Sequence, residues 1–156
     1  MRLARLLSPA LLVAAASPAL ALDAKVTLTR GACEARCPVY AVSVAGDGAV
    51  AFEGRHFVRK AGRATRRIGA AKAAAALRPF GEAAFRDAPE VIAPGEASCG
   101  EAKADGQRIE IEAAFGTSVK RVTLDTRCTS ETARRIADLA RGLDEAAATK
   151  ALLRGR

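Results

Sequence analysis

Tryptophan is absent from this sequence, histidine and tyrosine occur once each, and aromatic residues make up 4% of 156 positions. With His56 as the sole imidazole, a Ser-His-acid triad has one candidate base, and no serine sits in a nucleophile-elbow sequence. The basic stretches lack interleaved aromatics for stacking bases, which argues against a nucleic-acid partner. Glycine-rich phosphate loops are missing too, because Gly46-Asp47-Gly48 reads as a turn. Beyond the first twenty-one positions, no segment is apolar enough to span roughly 30 Å of hydrocarbon. An integral membrane protein is therefore not expected.

The chain opens MRLARLLSPALLVAAASPALA, with Arg2 and Arg5 ahead of a Leu- and Ala-rich stretch broken by Pro9 and Ser17-Pro18. Small residues at Ala19 and Ala21 complete the pattern of a secretory signal peptide cleaved near Ala21. Residues 1–21 are expected to be the leader and 22–156 a single domain, periplasmic or secreted. The leader carries two of the 25 basic residues and none of the 17 acids, so the formal charge falls from +8 to +6 when it leaves. A basic exported protein favours anionic partners, such as an envelope component or an acidic protein. The abundance of Arg, Ala and Gly also fits the composition of a GC-rich bacterial genome.

Four cysteines, Cys33, Cys37, Cys99 and Cys128, remain in the mature chain, and in an oxidising compartment paired disulfides are the default. Of three connectivities, Cys33 with Cys37 closes a loop worth about 2 kcal/mol, and Cys99 with Cys128 one worth about 3.7 kcal/mol. A crossed pairing gains slightly more, so chain entropy does not decide. The local pairing is favoured because Cys128 directly follows a strand and can tie down the irregular segment that carries Cys99.

Alternation of apolar and polar side chains predicts a first strand from Lys25 to Thr29, ending at Gly31, a second from Val39 to Ala45 and a third from Ala49 to Glu53. A three-residue loop, Gly46 to Gly48, pairs Val44 with Val50 and Val42 with Phe52 and keeps the apolar side chains on one face. Residues 56–59 and 64–68 read as one further strand or two short ones. From Gly69 the run AAKAAAALRPFGEAAF is helical by propensity, with a kink or a second short helix at Pro79. Asp87 to Asp105 reads as irregular. A second hairpin turns at Gly116-Thr117, pairs Ile111 with Val122 and Ile109 with Leu124, and sets Glu112 against Arg121. Thr129 or Ser130 caps a closing helix whose stripe is Ala133, Ile136, Ala140, Leu143 and Ala147. Together these predict an α+β fold: an antiparallel sheet of two hairpins plus an N-terminal strand, covered by two helices on one face. So few aromatics and so many alanines imply a core of small side chains that disulfides would reinforce.

The segment Arg30-Gly-Ala-Cys-Glu-Ala-Arg-Cys-Pro-Val-Tyr40 is the strongest candidate for chemistry. A redox dithiol sits at a helix N-terminus, where the dipole lowers the thiol pKa. Here Pro38 holds Cys37 extended and a β-rich run comes next, so the activating helix is missing. The Cys-x-x-x-Cys-Pro spacing resembles the copper motif of the Sco family of thioredoxin-like proteins. That family carries the motif in a strand-to-helix turn and adds a distant histidine, whereas His56 lies in a basic stretch. A structural disulfide is the expectation, with a thiol-redox or copper-handling role for Cys33, Cys37 and His56 as the alternative. Arg55, Arg59, Lys60, Arg63, Arg66 and Arg67 form the densest basic cluster and the candidate patch for an anionic partner. Glu110 and Glu112 alternate with isoleucines, which puts them on the polar face of the second hairpin. No catalytic residue and no cofactor is read from the sequence.

The combination Val26-Thr-Leu-Thr-Arg-Gly-Ala-Cys33, Cys37-Pro-Val-Tyr40, Val42-Ser-Val-Ala-Gly-Asp-Gly48 and Phe52-Glu-Gly54 resembles a family of small exported bacterial domains known as a domain of unknown function, number six-four-three-eight. The resemblance implies a strand, a Cys-x-x-x-Cys-Pro-x-Tyr motif, a hairpin, a helix, a second hairpin and a closing helix. It implies no activity. Cys99 and Cys128 depart from the family pattern and look like an added bridge. The function expected is that of a non-enzymatic binding or structural module of the bacterial envelope.

Overall fold

A computed structural model describes residues 23–153. The expected signal peptide and its cleavage point near Ala21 lie outside the described residues. Seven strands form one sheet: β1 (Ala24–Cys33), β2 (Val39–Ala45), β3 (Ala49–His56), β4 (Gly62–Arg67), β5 (Val91–Ile92), β6 (Gln107–Phe115) and β7 (Ser118–Asp125). Their order across the sheet is β4-β3-β2-β1-β6-β7-β5. The helices are α1 (Ala70–Leu77), α2 (Ala83–Arg86), α3 (Glu131–Ala146) and α4 (Lys150–Leu153), with a 3-10 turn at Arg78–Gly81.

The expectation of two hairpins plus one strand is too small. β1 is the centre, with one hairpin on each side, and strands at both flanks extend the sheet. β4 is a single strand paired with β3 from Gly54↔Gly62 to Ala49↔Arg67. β5 falls inside the segment read as irregular and runs parallel to β7, which makes the sheet mixed rather than antiparallel. Its two residues carry no periodicity; they pair as Val91↔Thr123 and Ile92↔Leu124, and Thr123 N–H also donates to Glu90 O at 2.8 Å. β1 continues past Gly31 to Cys33 through an irregularity after Arg30, and β3 runs on to His56.

Both hairpin registers result from keeping apolar side chains on one face. Val44 pairs with Val50 and Val42 with Phe52, and Gly48 takes a φ of 87° that a residue with a side chain rarely adopts. Ile111 pairs with Val122 and Ile109 with Leu124. Gly116 has a φ of 58° while Thr117 stays at negative φ, as a type II′ turn requires.

Even-numbered residues of β1, β2 and β3 and odd-numbered residues of β6 face the helices. Val26, Leu28, Val42, Val44, Ile109 and Ile111 are all buried there. α1 contributes Ala73 and Leu77 to this core, and α3 contributes Ala133, Ile136, Ala140 and Leu143. Ser130 caps α3, accepting from Ala133 N–H at 3.0 Å. Pro79 opens the 3-10 turn rather than kinking a continuous helix, and this sets Phe80 edge-on to Phe85 with ring centres 5.3 Å apart. The opposite face carries Lys25, Thr27, Ala41, Ser43, Ala51 and Thr65, none of them buried. No layer of the described chain covers that face.

Candidate functional site

The Cys33–Cys37 disulfide spans the connection from β1 to β2, with Cα atoms 5.8 Å apart. Gln107 on β6 clamps both ends of this loop: its side-chain amide donates to Gly31 O at 2.7 Å and to Pro38 O at 2.9 Å. Pro38 leads directly into strand β2, so no helix dipole acts on either sulfur. Glu34, Ala35 and Arg36 at the tip are exposed, and the Arg36 guanidinium lies 5.5 Å from the ring centre of exposed Phe57. Phe57 has a φ of 54°, a left-handed conformation that is unusual for a bulky residue. The Cys99–Cys128 disulfide is buried, with Cα atoms 4.6 Å apart. Backbone N–H groups of Thr129 and Ser130, at the start of α3, both donate to Cys99 O at 2.9 Å. That bridge anchors the long connection from α2 to β6 against the closing helix.

The register sets His56 opposite Val39, two residues beyond Cys37. Strand pairing thus brings the histidine of the copper alternative back beside the loop that carries the two cysteines, although a whole hairpin separates them in sequence. In the oxidised pair each sulfur is committed to the other. Among the described residues, no group of three or more His, Cys, Asp or Glu side chains is placed to hold a metal ion.

The six residues of the basic cluster separate, because neighbouring positions on a strand point to opposite faces. Arg63 and Arg67 stand on the open face of β4, and Arg55 continues the open face of β3, 3.8 Å from Glu53. Arg67 donates to Asp47 O at 2.7 Å and to its carboxylate at 3.3 Å. A backbone N–H from Ala49, and then Arg67, holds the Asp47 carboxyl below its ordinary range. Arg59 is spent on the chain itself: its guanidinium donates to Ala151 O at 2.7 and 3.1 Å, while Arg59 N–H and Lys60 N–H donate to Leu152 O. These bonds occupy the Ala151 and Leu152 carbonyls of α4 and tie the segment after β3 to it. Arg66 turns to the helix-covered face, into a small, partly open cavity of about 80 Å³ lined by Phe52, Ala147, Thr149 and Leu152. Its Nε and Nη2 are buried and make no hydrogen bond to the described chain.

A trough on the open face is what the cluster contributes to. Ser43, Ala45, Ala49 and Ala51 form its floor, and their small side chains leave shallow depressions of about 220 and 420 Å³. Lys25 on β1 and Arg63 and Arg67 on β4 stand around it, with Glu53 as the facing carboxylate. Lys25 is absent from the basic run in the sequence and joins the site through pairing with β2. The acids Glu110 and Glu112 lie further along the same face and are both paired with Arg121.

Sequence reasoning missed a second polar cluster. Arg30 and Tyr40 are cross-strand partners on the helix-facing side, and both reach Asp144 near the end of α3. Arg30 donates to Asp144 Oδ2 at 2.8 and 3.0 Å, and the Tyr40 hydroxyl donates to Oδ1 at 2.8 Å. Thr149 adds a hydrogen bond to the same oxygen at 3.0 Å. Burial, and then the Asp144 charge, push the Tyr40 phenol well above its ordinary value. The carboxylate oxygens are filled by these donors, so the cluster orders the fold rather than offering a free acid or base. A signal was present: Arg30 continues the Val26-Leu28 face, and a cation at the rim of a core needs an acid.

The fold and its sites define a disulfide-stapled α+β domain with a seven-stranded sheet left open on one face. A family model for a domain of unknown function, DUF6438, matches residues 24–147. The chain belongs to that family, and the match runs from the first residue of β1 to the residue after α3. Comparison with curated proteins and with solved structures gives no match.

Proposed function

We propose that the domain is a non-enzymatic binding module, exported to the periplasm or beyond, that meets an anionic partner with the β4 side of its open sheet face. One observation carries this reading: Lys25, Arg63 and Arg67, from strands separated by two others, stand around one trough whose floor is small enough to let a ligand approach the sheet. Three cations face one carboxylate, Glu53, and one exposed partner, Asp47. The disulfides support the same reading, because a core of small side chains gains rigidity from bridges closed in an oxidising compartment. Export itself rests on the leader-like first twenty-one residues.

Binding of the mature protein to heparin, used as a polyanion probe, tests the charge argument. Wild type is expected to bind and to weaken steeply as salt screens the cations. Lys25→Glu combined with Arg63→Glu should abolish binding with the fold intact. Unchanged binding in that variant would overturn the assignment of this face.

The thiol-redox or copper-handling alternative has one observation in its favour. Strand pairing sets His56 close behind an exposed Cys33–Cys37 loop.

A further inference from the structure

β4 ends the sheet on its side, and its outer edge is open. The hydrogen-bonding phase of the β3–β4 ladder is fixed at its end: Ile68 N–H donates to Gly48 O at 2.9 Å, one step beyond the Ala49↔Arg67 pair. In an antiparallel ladder the N–H and C=O of one residue point to the same side, and successive residues alternate. Gly62, Ala64 and Arg66 therefore turn their backbone groups to β3. Arg63, Thr65 and Arg67 turn theirs outward. The same phase emerges independently from the first hairpin, where Gly46 N–H donates to Ala24 O at 2.8 Å and fixes the alternation across β2 and β3. Among the described residues, no backbone hydrogen bond outside the ladder engages those three positions. Their side chains are exposed on the open face, directly above the free edge.

We propose that this edge recruits an extended acidic peptide segment, which adds to the sheet as an eighth strand. Strand addition takes its affinity from main-chain hydrogen bonds and its specificity from alternate side chains. Here the side chains that select are Arg63 and Arg67, four residues apart on one face with Thr65 between them. The complementary segment carries carboxylates four residues apart with a small or β-branched residue midway. Arg67 shares its charge with Asp47. Glu53, across the ladder from Arg63, leans toward Arg55 at 3.8 Å. Arg63 is left with no carboxylate in ion-pair contact among the described residues.

Charge also decides against a second copy of this chain as the occupant. Pairing β4 with β4 would set arginine beside arginine at cross-strand distance, which is destabilising. The opposite edge of the sheet is less suited to an acidic strand. Glu90 O already accepts from Thr123 there, and Arg121 is neutralised by Glu110 and Glu112.

The inference rests on the reading that the β4 arginines meet an anionic partner, and the test separates the two. The probe is a labelled, end-blocked peptide with the core Glu-Val-Thr-Val-Glu, titrated into the mature protein by fluorescence anisotropy and followed by amide hydrogen exchange. Binding should slow exchange at the amides of Arg63, Thr65 and Arg67 and leave Ala64 and Arg66, already bonded to β3, unchanged. Replacing both glutamates by glutamine should abolish binding. Thr65→Pro removes an outward N–H that no intrachain bond uses, so peptide affinity should fall about tenfold or more while heparin binding persists. A peptide N-methylated at alternate amides repeats that loss without altering the protein, and it serves if the proline variant does not fold.

Absence of peptide binding, or binding that protects no β4 amide and is indifferent to both blocks, overturns strand addition and leaves the anionic-partner reading standing. Arg63→Glu that changes neither peptide nor heparin binding overturns both.

Discussion

The hydroxyl of Tyr40 donates a 2.8 Å hydrogen bond to Asp144 Oδ1, fastening the strand after the Cys-Pro pair to the closing helix. Arg30 holds the other carboxylate oxygen, and both ion-pair partners are mostly buried, at 19% and 14% side-chain exposure. Removing the acid leaves the guanidinium without its counter-charge at a poorly solvated site. Asp144→Ala should cost about 2–4 kcal/mol in urea unfolding. Tyr40→Phe keeps the packing on Phe52, whose ring centre is 5.4 Å away, and should cost only about 1 kcal/mol. A double-mutant cycle between Arg30→Met and Asp144→Ala should show strong coupling. Additive losses would mean the pair contributes nothing as a pair.

The same phenol gives the protein an alkaline limit. Tyr40 has its folded pKa raised above the ordinary value of 10.0 by burial first and the Asp144 charge second. Below that ordinary value, folded and unfolded chains both hold the proton, and the contribution to stability is complete. Above it, the unfolded chain ionises first and binds fewer protons than the native state, so stability falls as pH rises toward the folded pKa. Unfolding free energies measured from pH 8 upward should decline beyond about pH 10 in wild type. Tyr40→Phe, having no phenol to ionise, should lack that part of the decline.

The two disulfides should respond differently to reductant and to mutation. Cys99 and Cys128 are buried, with 1% and 7% exposure, while Cys33 and Cys37 bracket an exposed loop tip. Mild reduction, then alkylation and mass mapping, should label Cys33 and Cys37 first. Replacing that pair by serine should cost about 2 kcal/mol with the fold kept, against about 4 kcal/mol for Cys99 and Cys128. The same alkylation assay addresses the redox alternative. Thiols at Cys33 and Cys37 that are already free and reactive near neutral pH would favour it over the staple.

How far the sequence could be read depended on whether the information was local. Val42 with Phe52 and Ile111 with Val122 were legible because one wrong step of register would turn a run of apolar side chains to water. Ser130 and the α3 stripe were legible for a similar reason. β4 was harder, since Gly62-Arg-Ala-Thr-Arg-Arg67 has no apolar alternation, as suits an edge strand kept from self-pairing by charge. β5 was not legible at all: Val91 and Ile92 become a strand only through pairing with Thr123 and Leu124 of β7, far along the chain. The basic run misled differently. Closeness in sequence suggested one patch, but the β4 pleat sends Arg66 beneath the sheet and Arg63 above it, and Lys25 reaches the site only through tertiary pairing. The acid that Arg30 needs, Asp144, is 114 positions away, beyond any local pattern.

Arg66 offers a substitution that should improve on the natural residue. Its Nε and Nη2 are buried without a protein partner among the described residues, in a cavity whose other walls include Val42, Val50, Phe52 and Leu152. A guanidinium there gives up water without gaining hydrogen bonds at those two atoms, a loss that an apolar side chain of similar length avoids. Arg66→Met keeps the aliphatic stem against Phe52 and removes the unsatisfied donors. It should raise stability by about 1 kcal/mol, or the melting temperature by about 4 °C. Arg63→Met, on the exposed face of the same strand, should change stability by less than about 0.5 kcal/mol. A destabilised Arg66→Met protein would show that the guanidinium is solvated or paired in solution, and the cavity beneath β4 would then have to be a polar one.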